Sequence, residues 1–312
     1  MTARTVAAAT FFAAIAGASA AHAADPQLVS LVMPDAKILA GVNVDSAKGS
    51  PFGQWVVSQI GLNNTGLQQF IALTGFDPTR DLSELLVANN GTTGGNGPSG
   101  LALARGVFNP ATMTAAASGK GALTELYGTV TIVEDPQKQA GLAFLGQTLA
   151  IAGDLADVKA AIDRQTSPQP LPAAVAAQVT QWSGSEDAWF LSTVPPSSLA
   201  SLSSGSPAAG ILQQIQQAAG GVKFGDSVVG TLALQSDNPQ DATQLATSLQ
   251  FLVNLAQMQS QNNPQAANLV QAIAVSAQGS TVTISETLPQ AQFQQLLQSQ
   301  KKAMVAAPRV KK

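Results

Sequence analysis

Apolar residues recur along this chain with two periods, and the switching between them marks out its elements. In Lys37–Val44, Ile38, Ala40, Val42 and Val44 fall at every second position, the spacing of a strand with one buried face. Ser50-Pro51 then opens a helix, with Ser suited to the N-cap and Pro to the first helical position, where its missing N–H costs nothing. Phe52, Trp55, Val56 and Ile60 share one face of it before Gly61, and a second short helix carries Leu67, Phe70 and Ile71 as far as Gly75. Leu85–Asn89 and Leu101–Gly106 read as a hairpin around the glycine-rich loop Asn90–Gly100. A short helix near Ala111–Ala117 follows, then strands at Ala122–Tyr127 and Thr129–Val133, and a hairpin Ala143–Leu145/Thr148–Ala152 turning at Gly146-Gln147. Asp154 caps a helix that buries Leu155, Val158, Ala161 and Ile162.

The pattern then restarts. Thr166–Pro172, with Pro168, Pro170 and Pro172 among polar residues, reads as a linker. Beyond it the periods predict a helix at Ala173–Thr180, a strand at Ala188–Val194, a helix over Ile211–Ala219 and a strand at Ser227–Gln235. The strongest helical signal starts at Asn238-Pro239, where Ala242, Leu245, Ala246, Leu249, Leu252, Val253 and Ala256 obey the i, i+3, i+4 rule. Phe251, Leu255 and Met258 form a second stripe beside the first, so this helix is expected to be covered on two sides. A hairpin, Ala272–Ala277 and Thr281–Thr287 turning at Gln278-Gly279-Ser280, and a helix from Pro289 close the pattern.

The two halves rhyme. Gly146-Gln-Thr-Leu-Ala-Ile before a helix entered at Leu155 parallels Gly279-Ser-Thr-Val-Thr-Ile before a helix entered at Leu288. Hairpins in place of regular strand–helix alternation predict an α+β fold of two similar halves, each a mostly antiparallel sheet with helices packed on it. The boundaries drawn are a signal peptide at 1–23, a first half at 24–165, a linker region at 166–186, a second half at 187–300 and a flexible tail at 301–312 with five basic residues. Between Val32 and Ala88, the early strand, the Ser-Pro-opened helix, Leu73-Thr-Gly-Phe-Asp-Pro and Asp81-Leu-Ser-Glu-Leu resemble uncharacterised exported bacterial proteins of duplicated α+β build. That resemblance implies architecture and compartment and carries over no activity.

The first residues change the picture most. Arg4 in a short positive region, the mostly apolar Val6–Ala16 and Ala21-His22-Ala23 match a secretory signal, with Ala21 and Ala23 at the positions signal peptidase reads. The apolar run is shorter than the roughly 20 residues needed to span a bilayer. Export to the periplasm or beyond is therefore expected, with no integral membrane segment after cleavage. Cleavage also removes His22, the chain's one histidine, from a sequence with no cysteine. Ser-His-Asp triads, Cys-His pairs and zinc sites are then unavailable, and disulfides cannot form. The net charge of −3, or −4 without Arg4, gives no basic footprint for nucleic acid. Between Trp189 and Gln300 the only charged residues are Lys223, Asp226, Asp237, Asp241 and Glu286.

Candidate chemistry is thin. Gly95-Asn-Gly-Pro-Ser-Gly100 has the letters of a dinucleotide loop, but a strand-like Leu101–Ala104 follows where a phosphate-binding helix should start. Ser299-x-x-Lys302 and Ser236-Asp237-Asn238 occur in the reverse of the order used by serine penicillin-interacting enzymes, and no Lys-Thr-Gly accompanies them. Asp77, Asp81 and Glu84 with Arg80, and the pairs Glu134-Asp135 and Glu186-Asp187, are the general acid/base candidates, and Tyr127 is the lone tyrosine. Turn and capping roles account for Asp77, Asp81 (ahead of Leu82–Leu86) and Asp135, and the spacing of the first cluster is not that of a calcium loop. Trp55 and Trp189 read as core, while Trp182 stands in a polar segment where it could stack on a ligand. The expectation is a non-enzymatic exported protein that binds a protein or envelope component and uses no metal or cofactor. The alternatives are a carrier of an apolar ligand held between sheet and helices, and a carboxylate-dependent hydrolase.

Overall fold

The computed structural model of the chain describes residues 23–51, 53–54, 65–94, 97–195, 213–260 and 264–294. Helix α1 (Pro26–Ser30) leads into β1 (Ile38–Asn43). Helices α2 (Val44–Gly49), α3 (Thr65–Thr74) and α4 (Pro78–Asp81) precede β2 (Leu82–Gly94) and β3 (Gly97–Gly106). Helix α5 (Pro110–Ser118), strands β4 (Leu123–Tyr127), β5 (Val130–Asp135), β6 (Ala140–Leu145) and β7 (Leu149–Asp154), and helix α6 (Leu155–Asp163) complete the first half. The second half has α7 (Ala173–Ser185), β8 (Ala188–Ser192), β9 (Gln217–Lys223), β10 (Ser227–Gln235), α8 (Pro239–Gln259), α9 (Pro264–Gln271), β11 (Ile273–Gln278) and β12 (Thr281–Pro289), with residues 290–294 helical.

All twelve strands form one antiparallel sheet in the order β11-β12-β10-β9-β8-β1-β2-β3-β7-β6-β5-β4. Outward from the β8/β1 junction, 8-9-10-12-11 mirrors 1-2-3-7-6, and the hairpin β5-β4 is an addition to the first half. A helix precedes the first strand of each half (α1, α7), another follows the third (α5, α8), and the last strand runs into a helix (α6, residues 290–294). The rhyming glycines Gly146 (φ 70°) and Gly279 (φ 55°) take the left-handed turn position at matching hairpins, β6–β7 and β11–β12. The fold is α+β with two similar halves.

The halves share a sheet: β1 pairs with β8 from Ile38↔Ser192 to Val42↔Ala188. Nor is 166–186 simply a linker, because it contains α7, which buries Val179, Trp182 and Ser183 against the sheet. Residues 217–219, the end of the helix expected over Ile211–Ala219, belong to β9 instead, while 211–212 lie outside the described residues. Strands β8 and β10 both offer backbone groups to this segment, and pairing with the two together outweighs its helical period. The glycine-rich loop is also shorter than expected, since β2 continues to Gly94 and β3 starts at Gly97.

On one face, α1, α6 and α7 cover Leu39, Leu86, Leu103, Ile151, Trp189 and Leu191. The indole of Trp189 lies flat across Gly41 of the neighbouring strand, where an added Cβ would stand 2.6 Å from Nε1. The other face has two separate covers. Phe76, Phe108, Met113 and Phe144 pack at the α5 end, with Phe76 stacked on Phe108 at 5.2 Å. At the other end α8 seats Ala242, Leu245 and Ala246 on Leu234 and Val282. Directly paired residues of an antiparallel sheet share a face. The row Phe144–Ala150–Ala104–Leu85–Val42–Ala188–Val222–Gly230–Glu286 therefore runs from one cover toward the other across the middle of the sheet.

Candidate functional site

The acids singled out by the sequence do not converge. Asp77 caps α4, accepting the Thr79 N–H at 2.9 Å and the Thr79 hydroxyl at 2.6 Å. Asp81 ends that helix rather than capping one, since Leu82 begins β2. It takes Arg80 in a two-pronged pair at 2.6 and 2.7 Å, which holds its carboxyl below the usual range. Glu84 turns elsewhere and accepts the Asp25 N–H at 3.1 and 3.2 Å, while burial pushes its carboxyl up. Asp25 is itself paired with Arg105 at 2.5 Å, so this cluster ties the chain start to β2 and β3. Among the described residues no three acids are grouped to hold a metal ion.

Glu134 does have a carboxyl neighbour, but it is Glu125 across the β4–β5 hairpin rather than Asp135. Their mutual hydrogen bond raises Glu134 and lowers Glu125. Lys159 closes on Glu125 at 2.6 Å and lies 5.5 Å from the centre of the Tyr127 ring, whose hydroxyl is bonded to Asp163 at 3.0 Å. These groups sit on an outer flank of the sheet and neutralise one another. Asp187 is buried at the seam, accepting the Ser46 hydroxyl, the Lys223 ammonium at 3.1 Å and the Phe224 N–H at 2.6 Å. Its neighbour Glu186 is pushed up by burial.

Of the serine-enzyme letters, Asn238 caps α8, Asp237 accepts from Gln216, and Ser299 and Lys302 lie outside the described residues. Of the dinucleotide-like loop, residues 95–96 lie outside them too, and β3 follows it. Trp189 is core as expected, whereas Trp182 is also buried on α7 and offers no stacking platform; Trp55 falls outside the described residues. Asp154 stands at the N-cap of α6 without a side-chain bond to it. Ala21 lies outside the described residues and Ala23 is exposed.

A concave feature of this fold lies on the same face as the α8 cover and beside it, in the second half of the sheet. Phe190, Val222, Leu232 and Ile284 line a mostly apolar trough of about 420 Å³ on β8, β9, β10 and β12. Near the trough on this face Phe190 and Val87 remain open, at 38% and 42% exposure. Gly230 leaves a gap in the trough, since a Cβ placed there would meet no atom within 4 Å. Beside it, in direct register, stands Glu286, the one ionisable side chain of the lining. Burial pushes its carboxyl up, with no charged neighbour contributing among the described residues. Another hollow of about 370 Å³ lies between α1 and α7, lined by Val29, Leu171, Val179 and Ser183 among others.

Among the described residues, helix α8 leaves part of its second stripe uncovered. Its first stripe is buried as far as Ala246, but Phe251 at 64% and Met258 at 60% exposure stand in the open. The trough was missed in the sequence although a signal existed. Val282, Ile284 and Leu288 occupy one phase of a strand, and Glu286 is an acid in that apolar phase. Only the neighbouring strands show that the phase is left uncovered at that point.

No family model and no curated protein sequence matches the chain. Among solved structures it is similar to TP0453. Crystal form I aligns with a TM-score of 0.55 at 12% identity, covering 87% of this chain and 97% of that one. Form III gives 0.53 at 11% identity with the same coverage, and form IV gives 0.52 at 12%, covering 86% and 95%. At such identity the likeness is one of fold, and it spans both halves.

Proposed function

We propose that this is an exported, non-enzymatic binding protein of the cell envelope, and that its site is the apolar trough on β8, β9, β10 and β12. The observation that carries this reading is the trough itself: about 420 Å³ with a mostly apolar lining, beside the α8 cover. Its volume lies within the range of small-molecule sites, which are typically apolar with a few placed polar groups. An apolar or amphiphilic ligand fits that lining. The non-enzymatic part rests on a mature chain without imidazole or thiol, and on Asp77, Asp81 and Asp187 being committed to a cap, an ion pair and the seam. Export rests on the signal-like residues 1–23, and the chain is anchored from the next residue: the Ala24 N–H donates to Ser183 Oγ at 2.9 Å, whereas Ala23 is exposed. Matching strand orders in the two halves support an internal duplication.

The test is a titration of the purified mature protein with the neutral apolar fluorophore N-phenyl-1-naphthylamine. One saturable site is expected, weakened at least about tenfold in Gly230→Val, where the added side chain enters the gap in the trough without backbone strain. Equal binding by the variant would place the site elsewhere. A second reading, docking of a protein partner, is favoured by the exposed Phe251 and Met258 of α8, and it predicts that Phe251→Ser abolishes partner capture while leaving the fluorophore bound.

A further inference from the structure

We propose that the ligand of the trough is an amphiphile with a cationic amine head, its chain lying on Phe190, Leu232 and Ile284 and its ammonium on the carboxylate of Glu286. The proposal rests on the reading of the trough as the binding site. Glu286 lies in the apolar phase of β12, opposite Gly230, and its side chain makes no hydrogen bond or ion pair among the described residues. A half-buried carboxylate facing a mostly apolar space is desolvated without a partner, and a hydrogen-bonding cation restores what the lost water supplied. The charge distribution excludes the opposite head group. Lys223 is the only cation between Trp189 and Gln300, and it is engaged with Asp187 at 3.1 Å, so an anionic head would meet Glu286 with nothing in this segment to offset it. Gly230 supplies the room, since the space above its Cα is open beside the carboxylate.

Three probes with the same chain separate head group from tail: decylammonium and decanoate, each titrated calorimetrically below its micellar concentration, and decanol below its solubility limit, all at pH 7. Decylammonium is expected to bind at least about tenfold more tightly than decanol, the lower end of what a hydrogen bond to a charged group contributes, and decanoate the weakest. Glu286→Gln should erase the preference for the ammonium while leaving decanol affinity unchanged, because the amide keeps the size and polarity of the side chain. If decanol and decylammonium bind equally to the wild-type protein, the amine assignment is overturned while the trough stands as an apolar site. If none of the three binds, or Gly230→Val leaves all three affinities unchanged, the trough itself is overturned as the site. If Glu286→Gln retains the ammonium preference, a different acid carries it and the assignment to Glu286 fails.

Discussion

Removing the carboxylate of Asp187 should loosen the junction between the halves. This side chain is 2% exposed and stands where β1, β8 and β9 meet. Its backbone carbonyl accepts the Asn43 N–H at 2.8 Å and its own N–H donates to Val222 at 3.0 Å. Asp187→Ala leaves those two bonds intact and strips the acceptor from three donors: the Phe224 N–H, the Ser46 hydroxyl and the Lys223 ammonium. Removing one member of a buried charged network costs about 3–5 kcal/mol. Lys223 is 38% exposed and recovers much of its loss in water, which places the expected cost near the lower end, at about 3 kcal/mol. Asp187→Asn retains one acceptor oxygen, with an expected cost of about 1–2 kcal/mol. Urea unfolding followed by tryptophan emission reads both, since Trp189 lies two residues further on, in β8. A loss below about 1 kcal/mol in Asp187→Ala would refute the account of the network as a junction clamp.

Further outcomes follow from other contacts. Gly41→Ala pushes a methyl into the Trp189 indole and should destabilise the fold by about 1–3 kcal/mol with a shift in tryptophan emission; unchanged emission would mean that the ring is not held there. Burial raises the folded-state pKa of Glu84, so its contribution is fully present below the unfolded value of about 4.3 and is lost as pH rises through the folded value. Glu84→Gln, whose amide oxygen can still accept the Asp25 N–H, should therefore gain stability relative to wild type between pH 4 and pH 7; a pH-independent difference in urea midpoints would contradict the assignment. Replacing the exposed Phe251 or Met258 by Ser should change folding stability by less than about 0.5 kcal/mol in the same assay, since neither side chain belongs to the core.

Much of this architecture was legible in the chain because its periods are local. Helix α8 and strands β10 and β12 follow from their own spacing, and the turns at Gly146 and Gly279 from the need for a left-handed residue. What was not legible depends on neighbours. Strand β9 carries a helical pattern that β8 and β10 override by pairing. Helix α1 and the residues after it carry no marked period, yet Leu28, Leu31, Val32 and Met33 lie in the main core, because α6 and the sheet leave a slot for them. Trp182 sits among polar residues along the chain but on the inward side of α7. Glu286 could have been noticed as an acid in an apolar phase, whereas the trough beside it depends on where the covers at the α5 end and under α8 stop, and no single segment encodes that.

The β1/β8 pairing has a consequence for how the molecule can come apart. Each half contributes its own first strand to the junction, in antiparallel register and in equivalent positions, so each conceals an edge that matches the other's. Cut between α6 and α7, either piece would expose a bare strand able to hydrogen-bond to a second copy of itself across the same twofold arrangement. One chain thus does the work of a symmetric pair of subunits, and the segment joining α6 to α7 is what keeps that pairing within the molecule rather than between molecules.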